Sequence, residues 1–164
     1  MGVSGSGKST IGQKLARRLA VPYAEADNFH SPRNVAKMRA GRPLDDEDRR
    51  PWIDAIAVWL AEHVEGGGVV SCSALKRRYR DRLAAAAPDV FFLHLVGSAE
   101  LIAGRLAARE DHFMPVSLLR SQIAALEPLA GDEPGVVIPI DGTPEETAAL
   151  ALAAVKEGTP VQDR

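Results

Sequence analysis

The sequence predicts an α/β fold, a parallel β-sheet flanked by helices. Three observations carry this. Gly2-Val3-Ser4-Gly5-Ser6-Gly7-Lys8-Ser9 fits G-x-x-x-x-G-K-[ST], and Ile11, Leu15 and Leu19 follow it at helical spacing, so a phosphate-binding loop runs straight into a helix. Residues 90–96, Val-Phe-Phe-Leu-His-Leu-Val, form a near-continuous apolar run, the pattern of a strand covered on both faces. Short apolar stretches and amphipathic helical stretches alternate along the rest of the chain, as a parallel sheet with helical crossovers requires.

The loop has a physical logic. Glycine lets consecutive backbone N–H groups turn inward and cradle phosphate oxygens where a side chain would block approach. Lys8 reaches the outer phosphates, the Ser9 hydroxyl suits Mg²⁺, and the dipole of the following helix faces the anion. Gly2, Ser4, Gly5, Ser6, Gly7, Lys8, Ser9 and Thr10 are therefore the expected nucleotide contacts.

In chain order, residues 22–27 read as a short strand ending in the acids Glu25 and Asp27. Ser31-Pro32 is a cap and first-turn proline for a helix that stops at Gly41. Residues 42–50 read as a charged connection. Pro51-Trp52 then enters a long helix with Ile53, Ile56, Ala57, Leu60 and Val64 on one face, ended by Gly66-Gly67-Gly68. Residues 69–72 are a short buried strand, 76–87 a helix closed by Pro88, and 90–96 the clearest strand. Ser98 caps a helix over 99–109. A lid-like stretch follows over about 110–121, with a helix from 116 to 126. Residues 136–141 form a last strand, whose proline places it at a sheet edge. Thr143 and Glu146 form a capping box for a helix to 155. Residues 1–157 make one domain and the tail from 158 is expected to fray.

Bulk properties exclude several classes. A net charge of −2 over 164 residues argues against a nucleic-acid or membrane partner held by bulk electrostatics. No apolar run approaches the roughly 18 residues that span a bilayer. One cysteine, Cys72, excludes an intramolecular disulfide and suits a reducing cytoplasm. It reads as a core residue, as do His63, His94, Trp52 and Trp59 as structural ones. No Asn-Lys-x-Asp follows a strand, which argues against a GTPase, and the metal's acid must come from Glu25 or Asp27.

Ligands of such folds sit at the carboxyl ends of the strands. Those ends carry Glu25, Asp27 and His30, then Lys76 and its neighbouring arginines, then Arg105, Arg109 and His112, and finally Asp141 to Pro144. A phosphate loop, a metal-binding acid, cations and a proton acceptor are the parts that phosphoryl transfer needs.

Three stretches resemble the gluconokinases. They are residues 27–52 (Asp-Asn-Phe-His-Ser-Pro-Arg-Asn through Arg-Arg-Pro-Trp), residues 72–81 (Cys-Ser-Ala-Leu-Lys-Arg-Arg-Tyr-Arg-Asp), and His112-Phe113-Met114-Pro115 with Ser121-Gln122. The resemblance runs through Asp141. It implies a nucleoside-monophosphate-kinase-like fold related to shikimate kinase. It further implies ATP-dependent phosphorylation of the 6-hydroxyl of D-gluconate, Mg²⁺ and a cytoplasmic homodimer. In that frame Lys8, Asp27 and Arg109 are catalytic, with Asp27 orienting the hydroxyl. Asp27, His30, Arg39, Arg49, Lys76, Arg80 and His112 bind the acceptor. Arg105, Asp141 and Thr143 lie by the nucleotide, and Ser9 and Glu25 hold the metal.

The chain departs from the family pattern at Ala26 and Asp111, where glycine is expected. It also departs at the start. A phosphate loop normally follows a buried strand, and only Met1 precedes Gly2. Without that strand its two neighbours should flank an empty slot, and we expect the natural chain to carry several more residues upstream.

Overall fold

The computed structural model describes residues 1–108 and 116–158; the expected lid residues 109–115, with Arg109 and His112, and the tail from 159 lie outside the described residues. The phosphate loop leads into α1 (Lys8–Leu19), and β1 (Tyr23–Glu25) follows with a 3₁₀ turn over Ala26–Phe29. Next come α2 (Pro32–Arg39), α3 (Asp46–Glu62), β2 (Val69–Ser71), α4 (Arg77–Ala86) and β3 (Phe92–Val96). The chain continues through α5 (Ala99–Ala107), α6 (Val116–Ala125), β4 (Gly135–Pro139) and α7 (Pro144–Gly158).

The described strands form two parallel pairs. β1 lies beside β2 with Ala24 opposite Val70, and β3 beside β4 with His94 opposite Val137. Residues 1–2 stitch the pairs together. The Met1 carbonyl accepts from Leu95 N–H at 3.0 Å, and Gly2 N–H donates to the Ser73 carbonyl at 3.2 Å. Met1 N also donates to the Leu93 carbonyl. Below this stitch lies a recess of about 360 Å³ between β2 and β3, walled by Met1, Leu60, Val70, Cys72, Leu83 and Phe92 among others.

Each half has its own core. Trp52, Ile53, Ile56 and Ala57 of α3 pack with Tyr79 and Leu83 of α4 and with Cys72 on one side. Val3, Ile11, Leu95, Ile102, Ile138 and Ala148 pack on the other. The α1 helix lies close against the sheet at Gly12, where a Cβ would stand 2.4 Å from Ser71 Oγ. That hydroxyl donates to the Lys8 carbonyl at 2.8 Å, which fixes the helix start over the strand end.

Local signals explain the boundaries. Ser31 Oγ accepts from Asn34 N–H at the start of α2, and Ser98 Oγ does the same for Leu101 N–H of α5. Gly41, with φ +69°, ends the α2 segment. One boundary differs from expectation. α3 begins at Asp46 and not at Pro51, because Asp45 and Asp48 form a reciprocal capping box five residues before the proline. Pro51 sits inside the helix, where its missing N–H leaves only the carbonyl of exposed Glu47 without an i+4 donor. The strands are also shorter than their apolar runs: Ala26 and Asp27 leave β1 for the 3₁₀ turn, and Phe91 precedes β3.

Candidate active site

The site is a cleft at the carboxyl ends of β1 and β2. Its walls come from the phosphate loop (Ser4, Gly5, Gly7, Lys8, Ser9), the β1 end (Glu25, Asp27, His30), α3 (Arg49, Trp52), the loop after β2 (Ser73, Leu75) and α6 (Ser121, Gln122). Met38, Pro43 and Leu44 close it with apolar surface.

The loop is built for an anion. Gly7 adopts φ +89° and no side chain caps α1, so first-turn N–H groups without an intrahelical acceptor point at the cleft. Lys8 Nζ donates to the Val3 carbonyl at 3.0 Å, folded along the loop. Ser4 N–H donates to Gln122 Oε1 at 2.7 Å, which ties α6 to the loop. Gly2 lies apart from this cradle: its N–H is committed to Ser73, and a Cβ there would stand 2.8 Å from the Leu95 carbonyl. Its place among the expected nucleotide contacts is therefore corrected to a backbone role.

Opposite the loop stand the acids. Glu25 accepts a 2.7 Å hydrogen bond from the Tyr23 hydroxyl. Burial, with Glu25 adding to it, pushes the Tyr23 hydroxyl up to about 12, so it stays a donor at neutral pH. His30 stacks on the Trp52 indole with centroids 4.6 Å apart. Burial, reinforced by the charge of Arg49, pushes His30 down to about 4 and keeps it neutral.

Beside the loop lies a second recess of about 270 Å³, reached by Gly7, Thr10, Arg105, Gly142, Pro144 and Thr147. Arg105 Nη2 donates to the Ile140 carbonyl at 2.8 Å, anchoring this wall to the end of β4. Asp141 and Thr143 are not among its lining residues. Thr143 is occupied as the cap of α7, exchanging hydrogen bonds with Glu146.

Three expected acceptor cations are elsewhere. Arg39 is exposed on α2 and does not line the cleft. Lys76 turns to Asp46, at 3.0 Å. Tyr79 and then Lys76 hold that carboxyl well below the usual carboxylate range, and Arg78 adds to them. Arg80 is 1% exposed and pairs with Glu133, itself buried. Its guanidinium also donates to the carbonyls of Ala74, Leu75, Glu127 and Pro128 at 3.1–3.4 Å. An acceptor has no access to it. Among the described residues the cations that line the cleft are Lys8 and Arg49.

Several lining residues carry no site role in the sequence reading, among them Ser73, Leu75, Ser121, Trp52 and Gln122. Trp52 reads as packing, and it does pack, but it also lines the cleft. Gln122 belongs to a stretch that carries the resemblance, without a role of its own. Its link to Ser4 spans 118 residues, beyond any local pattern.

This geometry, with cradle, acids and cations facing one cleft, agrees with what known proteins show. A shikimate kinase family model matches residues 4–133. A gluconokinase from Gluconobacter oxydans is 48% identical over 144 residues, spanning 87% of this chain and 80% of that protein. The chain belongs to the gluconokinase family. Two solved structures agree with this membership. The crystal structure of a sugar kinase from a Janibacter species superposes with TM-score 0.90 at 49% identity, covering 95% of this chain and 91% of the other. That of a gluconokinase from Sinorhizobium meliloti gives 0.89 at 44% identity, covering 96% and 89%.

Proposed function

We propose that this chain transfers the γ-phosphoryl group of ATP to the 6-hydroxyl of D-gluconate, giving 6-phospho-D-gluconate and ADP. The observation that carries it is the single cleft in which Lys8 and Ser9 face Asp27, His30 and Arg49. O6 attacks the γ-phosphorus, the bond to the β,γ-bridging oxygen breaks, and the O6 proton passes to Asp27. Lys8 leaves the Val3 carbonyl to meet the charge spreading over the phosphoryl oxygens. Arg49 takes the gluconate carboxylate, since Lys76 and Arg80 are paired elsewhere and Arg39 does not line the cleft, and an arginine fork suits a carboxylate. Neutral His30 hydrogen-bonds a neighbouring hydroxyl.

The donor set fits Mg²⁺. Ser9 and Glu25 offer only oxygen, and this ion needs few protein ligands beside phosphates and water. When bound it would neutralise phosphate charge. By resemblance, Arg109 closes over the γ-phosphate, His112 meets the acceptor, and the 270 Å³ recess with Arg105 takes the adenine. The same resemblance supports a homodimer, and the lone buried cysteine is compatible with a reducing cytoplasm.

The test is a coupled ADP-release assay over sugar acids, polyols and shikimate. Gluconate should give the highest kcat/KM. A better rate with shikimate or another acid would replace the acceptor, and ATP binding with no product from any acceptor would overturn the reading.

A further inference from the structure

We infer that Trp52 is a positioning residue that sets Asp27 and His30 toward the acceptor; this rests on the cleft being the kinase site proposed above. Two independent contacts converge on it. The indole Nε1–H donates to the Ala26 carbonyl at 2.7 Å, in the buried interior. Ala26 lies between Glu25 and Asp27 and opens the 3₁₀ turn, so this bond fixes the peptide on which Asp27 is hung. The indole face stacks on His30 with an interplanar angle of 9°. Trp52 is only 3% exposed and its neighbours Ile53 and Ile56 are core residues, so the platform is rigid. His30 lines the cleft, and its Nδ1 is shut off from solvent with no hydrogen-bond partner. One indole thus holds the candidate base through its N–H and the candidate hydroxyl-binding imidazole through its ring.

The two contacts separate by substitution. Trp52→Phe keeps a ring under His30 and removes the N–H; Trp52→Leu removes both. Trp52→Phe should lower kcat on the order of 10- to 100-fold, as misplacement of a reacting group does, with the KM of both substrates held within about twofold. Trp52→Leu should add a rise in acceptor KM of about 3- to 10-fold, the worth of one neutral hydrogen bond, with the KM of ATP unchanged. In a His30→Ala background that added rise should vanish, because there is no ring left to hold.

An unchanged kcat in Trp52→Phe overturns the inference. So does a KM rise shared equally by ATP and acceptor, or a Trp52→Leu effect that adds fully to His30→Ala. If Trp52→Leu fails to fold by thermal melting, site-specific replacement of Trp52 by benzothienylalanine removes only the N–H. It should reproduce the kcat loss of Trp52→Phe, and a wild-type kcat there overturns the inference. Wild type is assayed alongside on the full acceptor panel. A wild type that prefers another acid corrects the substrate, and the Trp52 series is then read on that acid.

Discussion

Helix α4 and the cleft are both dense in charge and use it differently. Every cation from 76 to 82 is matched to an acid. Lys76 and Arg78 share Asp46, Arg77 takes Asp81 and Asp132, Arg80 takes Glu133, and Arg82 takes Asp54. This region is a neutralised scaffold. Arg80 anchors the carbonyl of Ala74, a non-glycine residue at φ +42°, and so shapes the loop whose Ser73 and Leu75 line the cleft. In the cleft, Lys8, Arg49, Glu25 and Asp27 face a common space. Charge density in a sequence therefore marks function poorly; what matters is whether the packing turns the charges into the scaffold or toward the cleft.

The contrast can be broken at both ends. The largest effect should come from Asp27→Asn, which removes the proposed proton acceptor and should lower kcat on the order of 10³-fold while ATP still binds. Single-turnover kinetics with a nucleotide-binding control checks this, and a retained rate would make Asp27 a structural acid. Arg80→Met strands the buried Glu133 carboxylate and should cost about 3–5 kcal/mol of stability by urea titration. Adding Glu133→Leu should restore much of the loss, which no cleft substitution would do. Lys8→Ala should lower kcat by on the order of 10²-fold with little change in melting temperature; turnover within a few-fold of wild type would contradict its role.

A smaller effect concerns pH. Burial, aided by the charge of Arg80, pushes His94 down to about 4, and His30 behaves alike. An unfolded histidine titrates near 6.5, so between about 4 and 6.5 the unfolded chain binds more protons. The part of the stability that these two histidines carry should hold above pH 6.5 and fall as pH drops through this window, by up to about 1.4 kcal/mol per pH unit for each histidine. His94→Leu should flatten the slope in urea titrations at a series of pH values, and an unaltered slope would show that His94 does not contribute. The smallest effect is expected from Arg82→Ala, whose exposed pair with Asp54 should be worth no more than about 0.5 kcal/mol by thermal melting.

Much was legible because it is local. The phosphate loop, the caps at Ser31, Ser98 and Thr143, the stop at Gly41 and the run through β3 each announce themselves within a few residues. The start of α3 is legible in principle, since Asp45 and Asp48 have capping-box spacing, but a proline also favours the first turn of a helix, so Pro51 offers a competing start. Glu25 and Asp27 line the cleft at the end of β1, where strand-end reasoning looks; Arg49, which comes from the resemblance, lines it from α3. The commitment of Arg80 to Glu133, 53 residues away, follows only from the packing of α4 against the segment between α6 and β4. For the same reason Trp52 read as core: helical periodicity reports that a face is buried and not what the far edge of a large ring touches.

The slot between β2 and β3 also has a volumetric consequence. Hydrostatic pressure favours whichever state occupies less volume, and unfolding eliminates poorly filled internal space. A recess of about 360 Å³ walled largely by apolar side chains lies along the seam where residues 1–2 hydrogen-bond to β3 on one side and to the loop after β2 on the other. Compression should therefore act first on that seam, and, because the stitch runs directly into the phosphate loop, a nucleotide gripping the loop would raise the pressure at which the two halves part.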